Sequence, residues 1–345
     1  MVGSVGVGHV QTPSGFAARI AQLSEPGGFF DTDNLISNEK SYLHVVPALR
    51  ESGLTGGAYI GVGPDQNFSY IAQLKPAIAF IVDIRRDNML MHLLFKALFQ
   101  LSGTRVEYLS LLLGRPVPAP LDSWRHADID RLAAYMDETP TLSAPATTGL
   151  RARIDAAITD LGVPLSREDL ATIDRFHKTF MSRGLRLRFE TLGRGARPYY
   201  PTLRDLLLET DREGHRWSYL ASEDDFQFVK ALEQRDLVIP VVGNLAGPRA
   251  LGAIGRMLTD RGETLSAFYT SNVEYYLFND GSFAKFVDNL EHIPHTDRSL
   301  IIRSVFPGAA GPLPYSIAGY GSASIVQPVE AVLKGRVTSY RDLIR

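Results

Sequence analysis

Two glycines and a carboxylate stand at a spacing that can hold a sugar-bearing ligand. Gly61-Val62-Gly63 ends an apolar run at 57–60, and Asp83 closes a second apolar run at 77–82. A glycine turn lets the main chain approach a ligand with no Cβ in between. An acid closing the neighbouring strand can accept hydrogen bonds from both hydroxyls of a ribose, and the 22 positions from Gly61 to Asp83 suit that arrangement. A second group of polar residues could meet the same ligand. It comprises Asn38, Glu39 and Tyr42 ahead of the first strand, Asn244 after a run at 237–242, and Ser271, Asn272 and Glu274 after a run at 264–269, with Tyr275 and Tyr276 as an aromatic wall. Among them Glu39 is the candidate general base, a carboxylate able to take a proton from a reacting group. Ser37-Asn38 and Ser271-Asn272 also read as ordinary helix caps, and Glu39 and Glu274 fall in first turns, where the helix dipole favours a carboxylate.

The elements that must carry these residues follow from pattern. Strand, glycine turn, helix at 67–74 and strand again make a βαβ unit, which requires a parallel sheet. A helix is expected from 37, stopped by Pro47 and Gly53, and others at 88–100 and 104–113. From 217 the rhythm resumes: a strand at 217–221, a helix capped at Ser222 and running to 234, a strand at 237–242, a helix at 249–260, a strand at 264–269, a helix at 273–287 and a strand at 299–303. Six strands with intervening helices predict an α/β fold with a doubly wound, mostly parallel, Rossmann-like sheet. Between its halves lie helices at 151–161 and 166–182, the second opened by a capping box at Ser166–Asp169. The expected organisation is an N-terminal arm at 1–34, the first part of a cofactor domain at 35–114, a helical insertion or cap at 115–214 and the second part of the domain at 215–345.

Composition narrows the chemistry. With 45% hydrophobic and 21% charged residues the chain can form an ordinary core, and a net charge of −2 supplies no field toward nucleic acid or anionic lipid. The basic stretch Arg183, Arg186, Arg188, Arg194 and Arg197, interleaved with Phe189, Tyr199 and Tyr200, reads as a solvated face rather than a nucleic-acid site. No cysteine is present, so thiolate metal sites and cysteine nucleophiles are excluded, and the scattered histidines predict no metal. Arg85-Arg86-Asp87 reads as a solvated helix start and His92 as a packed residue. No apolar run is long enough to span a bilayer and no signal-peptide pattern is seen, so a cytoplasmic protein is expected. Neither a P-loop nor a nucleophile elbow occurs. Two further glycine pairs, Gly6-Val7-Gly8 and Gly193-Arg194-Gly195, lack a full βαβ setting.

The pattern over 57–83, resumed over 217–306, resembles the class I S-adenosylmethionine-dependent methyltransferases. The resemblance implies that Gly61, Gly63 and Asp65 form the cofactor turn and that Asp83 binds the ribose. It implies that Ser222, Glu223 and Asp224 flank the adenine. It implies further that Gly243, Asn244 and Leu245 line the transfer site. Tyr59 stands where that family has an acid, and Asp65 where it has a third glycine. The implied activity is methyl transfer from S-adenosylmethionine to a small molecule or peptide side chain, with Glu39, Tyr42, Asn244 and Glu274 nearest the chemistry. Two alternatives stay open. One is an NAD(P)-dependent oxidoreductase, against which Gln66 occupies the third-glycine position of a dinucleotide fingerprint. The other is a non-catalytic nucleoside-binding or scaffold protein of the same fold.

Overall fold

A computed structural model of the chain describes residues 15–32, 34–191, 197–306, 316–335 and 337–344. Both further glycine pairs and Arg194 lie outside them. Among the described residues there are six strands, β1 (Ala58–Gly61), β2 (Ile78–Asp83), β3 (Val238–Val242), β4 (Leu265–Ser271), β5 (His295–Val305) and β6 (Ala323–Pro328). They form one sheet in the order β3-β2-β1-β4-β5-β6. The first five run parallel, and β6 pairs antiparallel with β5. Strands β1 and β3 are buried at every position, as sheets covered on both faces require.

Helices α3 (Gln66–Leu74), α4 (Arg86–Leu101) and α11 (Glu223–Gln234) pack together beside β2 and β3. Helices α1 (Gly15–Leu23), α12 (Ala250–Arg261) and α14 (Phe283–Glu291) form a second layer. Right-handed crossovers put these layers on opposite faces. The connections leaving β1 and β4 therefore diverge, and a crevice opens between those strands at their carboxyl ends. An aromatic cluster of Phe68, Phe95, Phe99, Tyr108, Tyr219 and Phe226 welds α3, α4 and α11 to α5 (Arg105–Leu113).

Several expectations change. The run at 217–221 is a turn, not a strand: Ala221 N–H closes on Ser218 O, and Tyr219 N–H on Ser69 Oγ. Its apolar residues are buried against helices, which gives the same composition as a strand. The sixth strand is instead β6, a half-exposed edge whose Ser324, Gln327 and Pro328 hide the pattern. The arm at 1–34 contains α1, which buries Phe16, Ala17, Ile20 and Leu23. The opening helix starts as a 3₁₀ turn at Lys40–Val45 and continues as α2 (Val46–Glu51), so Pro47 sits in its first turn rather than at its end. The helix expected at 273–287 is two, α13 (Val273–Asn279) and α14, parted at Gly281 with φ +76°. In the insertion, α8 (Ala144–Asp160) and α9 (Arg167–Arg183) pack on α4, and the Ser166–Asp169 capping box is formed. No helix among the described residues is long and apolar enough to cross a membrane.

Candidate functional site

A cavity of about 500 Å³ opens at the carboxyl ends of β1 to β4. Its floor includes Gly63, Asp83, Gly243, Asn244, Ser271 and Asn272, the residues that close or follow these four strands. Its walls are Phe29 to Thr32 with Asn34, the residues Phe189, Thr191 and Tyr200, and α13 with Tyr276 and the following Asp280. Among the described residues of the insertion, Phe189, Thr191 and Tyr200 are those that border it. Thr32 and Thr191 form an isolated bridge between the two walls.

The glycine turn is pegged from inside. Asn67, fully buried, donates through Nδ2 to Val62 O at 2.9 Å and Pro64 O at 2.7 Å, and accepts from Tyr59 Oη at 2.8 Å. Gly61 serves this peg rather than a ligand: a Cβ there would lie 1.9 Å from Asn67 Oδ1. Gly63 does line the cavity, with φ +82° and the amides of Asn34 and Gln66 as its nearest neighbours. His92 Nε2 meets Gly63 O at 2.9 Å, so the imidazole donates from that nitrogen and stays neutral, its pKa pushed down by burial to about 4. Asp65 is not at the cavity; its Oδ2 accepts from Tyr219 Oη, and burial raises its pKa to about 6.

Asp83 lines the cavity but is held by Arg85. Oδ1 accepts from Arg85 N at 2.9 Å and Nε at 3.0 Å, and Oδ2 from Nη2 at 2.7 Å. A carboxylate has about four acceptor positions, so this grip leaves about one for a ribose hydroxyl. Arg85 is 7% exposed and also donates to Thr32 O, which ties the 29–34 wall to β2. It is therefore not a solvated helix start. Arg86 keeps more of that character, half-exposed and paired with Asp169 of α9 at 2.8 Å.

At β3, Gly243 donates to Asp83 O at 2.8 Å, and a Cβ there would overlap Ala250. Glu25 supplies the carboxylate for the α12 N-terminus, accepting from Asn244 N and Arg249 N, both at 2.9 Å. The backbone of Asn244 is thus committed within the chain, while its residue still lines the cavity.

The β4 corner is different in kind. The register of β4 against β5 shifts between Tyr269 and Ser271, and across this irregularity both hydroxyls reach Glu39: Tyr269 Oη donates to Oε2 and Ser271 Oγ to Oε1. Glu39 is 1% exposed, and no cation among the described residues pairs with it. Burial drives its pKa above the ordinary carboxylate value although Ser271, Tyr269 and Ser304 hydrogen bonds oppose the shift. Gln66 Nε2 donates to Tyr269 Oη at 3.2 Å, extending the chain across the floor. Ser271 has φ +53°, a strained setting for a residue with a Cβ. Glu39 stands at the N-cap position of the 3₁₀ turn, but its side chain makes no cap bond and turns to β4.

The other expected site residues lie elsewhere. Tyr42 Oη donates to Leu206 O at 3.0 Å, away from the cavity. Glu274 is buried behind α13 in an ion pair with Arg303. Ser222 caps α11 through Asp225 N, Glu223 accepts from Arg105 N, Asp224 is exposed, and none of the three borders the cavity. Because β3 follows α11, the loop at 243–245 is the one after the third strand and Ser271-Asn272 the one after the fourth. Tyr276 lines the cavity, while Tyr275 turns to Tyr340. Phe189 and Tyr200, read with the basic stretch as a solvated face, line the cavity instead, Phe189 being buried, while Thr32 and Asn34 came from a segment with no readable pattern. Gln66 was visible only as bulk.

Over residues 35–115 and 176–334 the chain matches the profile of a family described as a domain of unknown function, DUF7790. The chain belongs to this family. Glu39, the glycine turn, Asp83, Asn244 and Ser271 all fall inside the matched residues, whereas Glu25, Thr32 and helix α8 fall outside them. A comparison with curated proteins finds no match.

Proposed function

We propose that the cavity holds a nucleoside-bearing cofactor, S-adenosylmethionine, and that the protein is a methyltransferase acting on a small molecule or a peptide side chain. The observation that carries this reading is that Gly63 and Asp83 line one cavity at the divergence of β1 and β4, where doubly wound sheets bind their ligands. The parallel order β3-β2-β1-β4-β5 with an antiparallel β6 is compatible with a methyltransferase-type sheet.

The lining fits such a group. Gly63 brings main chain to the cavity without a Cβ, Asp83 retains acceptor capacity for a ribose hydroxyl, and buried oxygens of Thr32 and Gln66 have no hydrogen-bond partner among the described residues. Bound there, S-adenosylmethionine would supply an electrophilic methyl group. The chain's own part is alignment, exclusion of water and custody of a proton. Glu39 performs the last: a carboxyl with a raised pKa at the cavity edge can accept a proton from an acceptor group, and Tyr269 and Ser271 hold both its oxygens in place.

A dinucleotide is disfavoured because Gln66 opens α3 where the fingerprint wants glycine. The grip of Arg85 on Asp83 favours a second reading, a nucleoside-binding protein without catalysis. Calorimetric titration with S-adenosylmethionine, S-adenosylhomocysteine, NAD and NADP separates these. Saturable binding of the first two alone is expected. Binding of NAD or NADP alone would favour an oxidoreductase, and silence for all four would remove the cofactor reading. Binding without methyl transfer to any acceptor would leave the second reading.

A further inference from the structure

We infer that the part of this cavity beside the β4 corner takes a cationic ligand, an organic amine or ammonium. The inference rests on reading the cavity as a ligand site and supplies the chemical class of the second molecule seated there.

Charge is the first ground. Besides Asp83 with its Arg85, the described lining residues near the β4 corner carry the carboxyl groups of Glu39 and Asp280 and no further basic side chain. Arg85 is already spent on Asp83, so the pair adds no net charge. An anion entering here would meet excess acid in a partly desolvated space, where electrostatic terms are large.

Hydrogen bonding is the second and independent ground. Tyr269 gives its proton to Glu39, so its oxygen must accept from Gln66 Nε2. That relay fixes the Gln66 amide and leaves its Oε1 over, in a residue only 6% exposed, with no donor to meet it. Thr32, equally buried, has an Oγ1 with no partner among the described residues, and a hydroxyl can accept as well as donate. Unmet acceptors call for a donor-rich partner, and an ammonium group is all donor.

Shape is the third ground. Two edge-to-face aromatic pairs line the walls: Phe30 with Tyr276, centroids 5.0 Å apart, and Phe189 with Tyr200 at 4.8 Å. Aromatic walls with acid nearby attract cations through the ring faces, quaternary ammonium included.

The test titrates the full chain with benzylamine, benzyltrimethylammonium, benzyl alcohol and benzoate, with and without S-adenosylhomocysteine. The two cations should bind about tenfold or more tighter than the alcohol, and benzoate weakest. Tyr276→Ala, at a partly exposed position where refolding is not at stake, should weaken both cations by roughly fivefold, and Asp280→Asn by roughly threefold. Equal affinity for the alcohol, silence of both cations at millimolar concentration, or indifference to both substitutions overturns the inference. Cation binding alongside silence for S-adenosylhomocysteine sinks the cofactor reading and leaves this one; the reverse outcome sinks this one alone.

Discussion

The two corners of the cavity use their polar groups in opposite ways. At the β1–β2 corner nearly every group closes on the chain itself: Asn67 pegs the turn, His92 holds Gly63 O, and Arg85 grips Asp83. At the β4 corner a carboxylate is buried with hydroxyl partners but no cation among the described residues, beside a strained Ser271. The first corner spends its hydrogen bonds on shape. The second withholds charge compensation, which leaves Glu39 poised to gain a proton. A recognisable glycine motif can thus be a rigid frame while the carboxylate with the raised pKa sits across from it.

This contrast breaks most visibly at Gly61. A methyl there collides with Asn67 Oδ1, so Gly61→Ala should cost roughly 3–4 kcal/mol in urea unfolding. A loss below about 1 kcal/mol would mean the peg yields and the corner is not rigid.

His92 tests the same corner through pH. Its folded pKa of about 4 lies below the roughly 6.5 of an unfolded histidine, so the unfolded chain takes the proton first as pH falls. The stability His92 contributes is complete above pH 6.5 and is lost on descending toward pH 4, about 3 kcal/mol in all. The destabilisation caused by His92→Gln should accordingly shrink between pH 7.5 and 4. A constant difference across that range would place a charged imidazole under the turn.

Glu39→Gln sharpens the other side. Retained cofactor binding with turnover reduced about 100-fold is expected, because only proton transfer is removed. In the parent protein the rate should fall with acid through a pKa above the ordinary carboxylate value. Unchanged turnover would move the base elsewhere.

Gly63→Ala gives the smallest stability effect and the most selective one. Its positive φ predicts about 1–2 kcal/mol, but the added methyl enters the cavity wall, so affinity for S-adenosylhomocysteine should drop roughly tenfold. Equal affinity would show that this main chain is not a ligand surface.

What could be read beforehand follows the same division. The βαβ unit, α4, α12 and β3 to β5 were legible because buried runs and helical stripes are local signals. The turn at 217–221 imitated a strand because Tyr219 and Leu220 are as buried as strand residues, and β6 escaped because an edge strand needs no continuous apolar run. Gly63 and Asp83 were identified from spacing, whereas the Arg85 grip was not, since a basic residue after an acid reads equally well as solvated. Glu39 was singled out as a base, but its union with Tyr269 and Ser271 spans over 200 positions and exists only once β4 is folded. The 222–224 triplet was assigned to the mouth of a strand at 217–221 that does not form, whereas Tyr42 and Glu274 follow cavity residues along the chain but turn their side chains inward, to Leu206 O and to Arg303.

The most direct measurement is a crystal structure of the protein grown with S-adenosylhomocysteine. The expected result is ligand density in the cavity against Gly63, with a ribose hydroxyl on Asp83 and the thioether end toward Ser271 and Glu39. Density elsewhere, or an empty cavity at saturating ligand, would contradict the nucleoside-site reading on which the proposed activity stands.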